Sequence, residues 1–260
     1  MTSLADRTIA VLRDLHDELA ALVPTLTEAQ LSGPSGASEW TVAQVLSHLG
    51  SGAEISLAGF QAALTGAPGP GPEFNQSVWD RWNALAPHDQ ATAFLDHNAK
   101  LVEAIEALTP EQRENLQFKL GFLPVPIGVA AFSGMRLNET ALHSWDARVG
   151  VDPTAALSEE SAEVLVEQFS GELSVLLGFF GKAEALAGSA VVDAHGHGLV
   201  IADAVRLTPT ADNATATFVG PLEAFVRLIG GRLTPARTPA DVQVLGDINL
   251  DDLRQVFPGF

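Results

Sequence analysis

Ionisable side chains with helical spacing mark the segment 127–150. Arg136, Glu139, His143 and Asp146 follow one another at intervals of three or four residues. At about 100° per residue they fall within roughly a quarter of a helix's circumference. The other faces of this helix carry apolar residues. Because the burial of unpaired charge is unfavourable, a polar stripe on an otherwise apolar helix needs partners.

Glu139 and His143 have the spacing of a metal-ligand pair. Side chains four residues apart lie one above the other on a helix and can reach a single ion. The same E-x-x-x-H pair is common on ordinary solvated helices, and that alternative stays open for the pair by itself. Asp146, one turn beyond His143, is placed to orient this histidine through its second ring nitrogen. Arg136 is placed to pair with Glu139 or to receive an anionic substrate.

His48 is the candidate for a third ligand. It lies in an earlier amphipathic helix, among small and apolar residues, where a neutral imidazole can point into a helical core. Two histidines and one glutamate leave one position of a tetrahedral zinc ion open, which is typical of catalytic sites. The alternative is an ordinary core or surface histidine.

The remaining ionisable residues are weaker candidates. Arg81 is either a surface charge or a clamp for a substrate carboxylate. Arg232 follows an amphipathic helix, and is either a cation favoured by the helix dipole or an arm that reaches the site. His195 and His197 could bind a metal, but Gly196 between them favours a turn. The other histidines have no convergent partners in the sequence and are expected to be solvated: His16, His88 and His97.

The composition limits the chemistry further. The 260 residues include no cysteine, which excludes disulfides, cysteine-ligated zinc and a thiol nucleophile belonging to the protein. Thiol chemistry would need a thiol from outside. The net charge of −18 disfavours nucleic acid and anionic membranes as partners. No apolar run reaches the roughly 18–20 residues of a membrane span, and no signal-peptide core is evident, so we expect a cytoplasmic protein.

Helical periodicity predicts a bundle that carries the candidate ligands. The first helix starts near Leu4 and ends at Pro24, the second covers 41–64, the third about 89–108, and the fourth is the segment 127–150. Four helices with one polar seam are typical of a four-helix bundle, whose core commonly hosts metal. We expect this domain to cover residues 1–151.

The pattern changes after residue 150. Residues 157–181 are apolar and helical, and short β-leaning segments then alternate with turns up to about residue 245. Helical pieces are expected at 221–229 and 250–257. The fold class is therefore α+β, with a small α+β domain at 152–260.

Three parts of the chain resemble the mycothiol-dependent maleylpyruvate isomerase family. They are TEAQLSGPSGASEWTVAQVLSHLG, RLNETALHSWDARVG, and a tail with IGGR and VLGDINLDDL. The resemblance covers nearly the whole chain and implies a DinB-like metal-binding bundle joined to a smaller α+β domain. It implies that a divalent ion, usually zinc, is bound by His48, Glu139 and His143. It also implies that an arginine of the second domain serves the site, for which Arg232 is the match. Arg81 is a weaker match, because the tryptophan-rich segment around it aligns poorly.

The same resemblance implies a thiol cosubstrate. Members of the family take their nucleophile from mycothiol, a small thiol of actinobacteria, which fits a chain without cysteine. A metal ion with an open position deprotonates a thiol that it binds. The thiolate would attack a small electrophile, giving cis–trans isomerisation or S-transfer. The alternatives are a metal-dependent hydrolase or lyase that uses metal-bound water, and a binding protein without activity. A monomer or small homo-oligomer is expected.

Overall fold

Long α-helices build the first part of the chain in the computed structural model, which describes residues 3–120, 123 and 125–259. The helices of this part are α1 (Leu4–Leu22), α2 (Glu28–Leu31), α3 (Val42–Thr65), α4 (Pro72–Asn83), α5 (Pro87–Glu106), α6 (Pro110–Asn115) and α7 (Val129–Val149). A short antiparallel pair, β1 (Gln117–Phe118) with β2 (Ile127–Gly128), precedes α7. The chain divides into two compact units, 1–155 and 156–260, four residues beyond the boundary expected from sequence.

A four-helix bundle is formed by α1, α3, α5 and α7. Helix α3 packs against α5 and α7, and α1 packs against the same two helices. The start of α3 is fixed by a capping box: the Gln44 amide donates to Thr41 Oγ1 at 3.2 Å, and the Thr41 amide donates to Gln44 Oε1 at 2.9 Å. These bonds satisfy amides that a helix N-terminus leaves without partners.

Close backbone approach brings the segment before α3 against the end of α7. A Cβ atom added at Gly36 would lie 2.7 Å from Asp146 Oδ1, and one added at Gly150 would lie 2.6 Å from the Pro34 carbonyl oxygen. Glycine is therefore required at both positions, since any side chain would push the two segments apart. The contact places the residues just before α3 beside the polar stripe of α7.

A five-stranded mixed sheet organises the second unit. Its elements are α8 (Glu159–Phe169), α9 (Ser174–Phe180), β3 (Ala190–Ala194), β4 (His197–Ile201), β5 (Val205–Thr208), β6 (Ala216–Val219), α10 (Leu222–Ile229), β7 (Gln243–Gly246) and α11 (Leu250–Val256). The strand order is β5-β4-β3-β6-β7, with β3 and β6 parallel and the other pairs antiparallel. The α+β fold class predicted from the sequence is confirmed.

Two details of the second unit differ from expectation. The helix predicted at 157–181 is two helices, because the turn at 170–173 separates α8 from α9. The turn predicted around Gly196 is present, with positive φ at His195 (55°) and Gly196 (88°), but His197 already begins a strand that the sequence did not reveal. Two successive positive φ values are typical of tight hairpins.

None of the helices in the described part of the chain combines the length and the apolar character needed to cross a bilayer.

Candidate metal centre

Helices α3 and α7 bring together the three side chains expected to bind a metal. His48 Nε2 lies 3.1 Å from Glu139 Oε2, and His143 Nε2 lies 3.7 Å from the same oxygen. One donor atom from each residue lies within 4.8 Å of the other two, and within the described residues no other group of three or more potential ligands meets this condition. His48 is 91 positions from Glu139 in the sequence, so this grouping exists only in the folded bundle.

The spacing of the donor atoms fits a small divalent ion. At the usual Zn–N distance of about 2.0–2.1 Å, two donors of a tetrahedral ion are about 3.3 Å apart. The separations of 3.1 and 3.7 Å lie on either side of this value. Two imidazole nitrogens and one carboxylate oxygen are also the donor set that zinc accepts. The three residues could therefore hold such an ion and leave one position open.

Asp146 holds the ring of His143. Its Oδ2 lies 2.9 Å from His143 Nδ1, and its side chain is fully buried. Because an ionised carboxylate only accepts hydrogen bonds, this contact places a ring proton on Nδ1 and leaves Nε2 facing Glu139. A carboxylate behind a ligand histidine is common in metal sites, where it fixes the tautomer and the ring orientation.

Glu139 is ionised at neutral pH. Desolvation is the largest influence and raises its pKa, but the hydrogen bond with His48 and the charges of His143, His48 and Arg136 outweigh it and lower the pKa to about 2. The side chain still keeps 45% of its surface accessible. The site therefore presents a negative charge between two imidazoles, which favours a cation.

Arg136 makes contacts that differ from the predicted pair with Glu139. Its guanidinium is buried and donates through Nη2 to the Leu49 carbonyl oxygen at 2.9 Å and to Asn98 Oδ1 at 2.8 Å. Asn98 Nδ2 in turn lies 3.0 Å from His16 Nδ1. No ion pair joins Arg136 to a carboxylate within the described residues, and burial lowers its pKa to about 10 while Glu139 acts to raise it. Arg136 is thus a buried cation one helical turn from Glu139.

Trp40 is a site residue that sequence reasoning missed. Its ring centroid lies 5.0 Å from that of His48 and 5.9 Å from that of His143, nearly parallel to the latter at 26°. In the sequence Trp40 directly precedes the helix cap, where an apolar residue is expected to pack on the following turn. This local packing was a sufficient reason for an apolar residue at position 40, so nothing in the sequence indicated its contact with His143 on α7.

Arg81 forms a salt bridge with a carboxylate of α3. Its Nη1 and Nη2 donate to the two carboxylate oxygens of Glu54 at 3.3 and 2.6 Å, and Trp82 Nε1 donates to the same group at 2.9 Å. Desolvation raises the pKa of Glu54, but the hydrogen bonds from Arg81 and Trp82 outweigh it and lower that pKa. More than half of the Arg81 side chain is exposed, at 55%. Its role in substrate binding stays a prediction.

Arg232 lies in the second unit, directly after α10. Its main-chain amide donates to the Arg227 carbonyl oxygen at 2.7 Å, and its Nη1 donates to the Gly230 carbonyl oxygen at 2.6 Å. These bonds anchor the residue at the helix end, as expected for a cation near a helix C-terminus. Its service to the candidate metal centre stays a prediction.

The other histidines correct one expectation from the sequence. His16 is buried and bonded to Asn98, and His97 packs its ring edge-on against Trp82, with Nδ1 3.6 Å from Glu54 Oε2. The expectation of a solvated side chain was wrong for His16, which faces a neighbouring helix that the sequence pattern does not show. His97 is half-buried, with 25% of its side-chain surface accessible. His88 is exposed, as expected.

The metal-site segments lie inside a region that matches a known family. The family model for the mycothiol maleylpyruvate isomerase N-terminal domain matches residues 12–148, which is just over half of the chain. The chain belongs to this family. The matched region includes all three candidate ligands and Asp146.

Two solved structures share the fold over 95% of this chain. Mycothiol-dependent maleylpyruvate isomerase, and a variant of it in which a histidine is replaced by alanine, each match with a TM-score of 0.66 at 15% sequence identity. Each match covers 95% of this chain and 98% of the other. At this identity the likeness shows the fold: a helical domain followed by a smaller α+β domain. None of the curated proteins compared matches this chain in sequence.

Proposed function

We propose that this protein is a metal-dependent enzyme that uses the thiol of mycothiol to attack a small electrophilic substrate, with cis–trans isomerisation of a maleylpyruvate-like acid as the leading activity. The observation that carries the proposal is the convergence of His48, Glu139 and His143 on one point of the bundle. Membership in the mycothiol maleylpyruvate isomerase family supports the choice of thiol. The absence of cysteine supports an external nucleophile.

His48, Glu139 and His143 would hold the divalent ion, with zinc as the expected metal. When bound, this ion supplies the Lewis acidity that keeps the mycothiol sulfur as a thiolate at neutral pH. Asp146 would keep the proton of His143 on Nδ1, so that Nε2 can bind. Arg136 would act through charge alone, as a buried cation whose charge adds to the larger influences of His48 and His143 in lowering the pKa of Glu139.

The reaction balances without a redox partner. The thiolate adds to one carbon of the substrate's cis double bond, a C–S bond forms, and the negative charge moves to the conjugated carbonyl. Rotation about the resulting single bond, followed by expulsion of the thiolate, gives the trans isomer and regenerates mycothiol. If the C–S bond is kept and a proton is taken up, the outcome is S-transfer. Arg81 and Arg232 are the groups that we propose to bind substrate carboxylates, since guanidinium and carboxylate match as two-pronged partners.

Three measurements on the purified full chain test this function. Metal content is determined first, and turnover of maleylpyruvate is then followed by chromatography with and without mycothiol. We expect one bound divalent ion per chain and a trans product that forms only with mycothiol. His143→Ala should lose both metal and activity, whereas the control His88→Ala, at an exposed position, should keep both. Turnover that does not depend on mycothiol, or a His143→Ala variant that keeps its metal and activity, would overturn the proposal.

A further inference from the structure

Trp40 contacts both histidines of the candidate metal centre, and no step of the proposed chemistry uses it. We propose that Trp40 is a positioning residue: its indole holds the imidazoles of His48 and His143 in the orientation in which their nitrogens converge with Glu139. This inference rests on the proposed function, because it assigns a role to a neighbour of the metal ligands.

The contacts between the Trp40 indole and the two imidazoles are the first evidence for this role. The indole stacks on His143 at an interplanar angle of 26° and lies tilted at 45° over His48, with centroid distances of 5.9 and 5.0 Å. The two imidazoles meet edge to face at 65°, 4.6 Å apart. All three distances lie in the range of about 4.5–7 Å that aromatic pairs favour. One indole that touches both rings restricts rotation of each imidazole about its bond to Cβ.

The backbone of Trp40 is held firmly, which a positioning role requires. The main-chain amide of Trp40 donates to the Ala37 carbonyl oxygen at 3.2 Å, and the Trp40 carbonyl oxygen accepts from Ser35 Oγ at 2.7 Å and from the Ser35 amide at 3.1 Å. Four residues before Trp40, the Gly36 amide donates to the Asp146 carbonyl oxygen at 2.7 Å. The segment that carries the indole is therefore tied to α7 at the residue that orients His143.

The exposure of Trp40 separates this role from ordinary core packing. Trp82 and Trp145, which pack in the interior, each keep only 1% of their surface accessible, whereas Trp40 keeps 38%. A tryptophan placed only to bury apolar surface gains most when it is covered. The contacts that Trp40 does make include the two rings whose orientation decides whether three donor atoms converge.

The test measures metal binding by the full-length apo chain rather than turnover. Zn²⁺ affinity is determined by competition with a chromophoric chelator, and the visible absorption of the Co²⁺-loaded chain reports the coordination geometry. Trp40→Leu keeps an apolar side chain but removes the ring, and should weaken Zn²⁺ binding about ten-fold, the lower end of the range for groups that orient metal ligands. Its Co²⁺ spectrum should shift. Trp40→Phe, which restores a ring, should bind within about threefold of the parent chain.

The matched control is Trp79→Leu, which removes another exposed indole from the same unit and should leave affinity and spectrum unchanged. Circular dichroism verifies folding, and Trp40→Met serves as a second variant if leucine impairs it. If the parent chain binds neither ion, the proposed function fails. If the parent chain binds but Trp40→Leu has the same affinity and spectrum, only the positioning role is overturned. An equal loss in Trp79→Leu also overturns it, since the effect would then be general.

Discussion

A single buried carboxylate decides which nitrogen of His143 faces the other candidate ligands. Asp146 accepts from Nδ1, so Nε2, on the other side of the ring, points toward Glu139. An amide in place of this carboxylate can turn its NH₂ group toward Nδ1, which would favour the opposite tautomer with the proton on Nε2. A protonated Nε2 cannot bind a metal ion.

Asp146→Asn should therefore weaken Zn²⁺ affinity about ten- to hundred-fold while the chain stays folded. Chelator competition measures the affinity, and the thermal unfolding midpoint of the apo chain checks the fold. Asp80→Asn is the control, because Asp80 is an exposed residue that bonds only locally, accepting from Gln76 Nε2 at 2.7 Å. Equal Zn²⁺ affinity in both variants would contradict this account of the tautomer.

At the scale of the helices, an ion pair between α1 and α5 adds a pH-dependent contribution to stability. Arg13 on α1 donates from Nε and Nη2 to the two carboxylate oxygens of Glu106 on α5, at 3.0 and 2.6 Å. The hydrogen bond from Arg13 is the largest cause that lowers the pKa of Glu106 below its ordinary value of 4.5. Both side chains are about one-third exposed, so solvent weakens the pair to about 0.5–1 kcal/mol.

Glu106→Gln removes this ion pair and should lower the free energy of unfolding by about 0.5–1 kcal/mol at about pH 7. A carboxyl group whose pKa is lower in the folded chain stabilises it above the unfolded pKa, and this contribution is lost as the pH falls through the folded pKa. The difference between the parent chain and Glu106→Gln should therefore shrink below pH 4.5 and vanish once Glu106 is protonated. Urea unfolding at several pH values measures it. Glu18→Gln, which also removes a carboxylate from the chain at an exposed position, is measured in parallel as the control. A difference for Glu106→Gln that stays constant with pH would contradict the assignment.

The four long helices of the bundle could be predicted from the sequence because their signals are local, whereas α4 (Pro72–Asn83) was not predicted. The E-x-x-x-H spacing of Glu139 and His143 lies within a single helix, and the structure has both residues on α7 as expected. The start of the second helix, expected at residue 41, agrees with α3, which begins at Val42 after a Thr41 cap. Contacts between different helices have no comparable local signal in the sequence. Arg136 was expected either to pair with Glu139, its neighbour on α7, or to receive an anionic substrate. Its guanidinium instead bonds across the bundle to α3 and α5, partners that only the packing of the helices determines, and the substrate role stays a prediction.

At the scale of the whole molecule, the candidate ligands link two helices that are distant in the sequence. A metal ion that binds only the folded chain stabilises it, by about 2.7 kcal/mol when the free ion is 100-fold above its dissociation constant. Zn²⁺ should therefore raise the unfolding temperature of the parent chain, and a chelator should reverse the rise. Glu139→Gln should lose most of this shift, because the carboxylate oxygen is one of the three donors. Differential scanning calorimetry measures the effect, and an equal shift in Glu139→Gln would place the ion elsewhere.

The 91 positions between His48 and Glu139 also set an order of events during synthesis. A chain leaving the ribosome exposes His48 early, but the three candidate ligands cannot converge until α7 has emerged and docked. Before that point, the donor groups of the nascent chain are far apart and would bind an ion only weakly. An ion that needs all three donors would therefore bind tightly only after α3 and α7 have packed together.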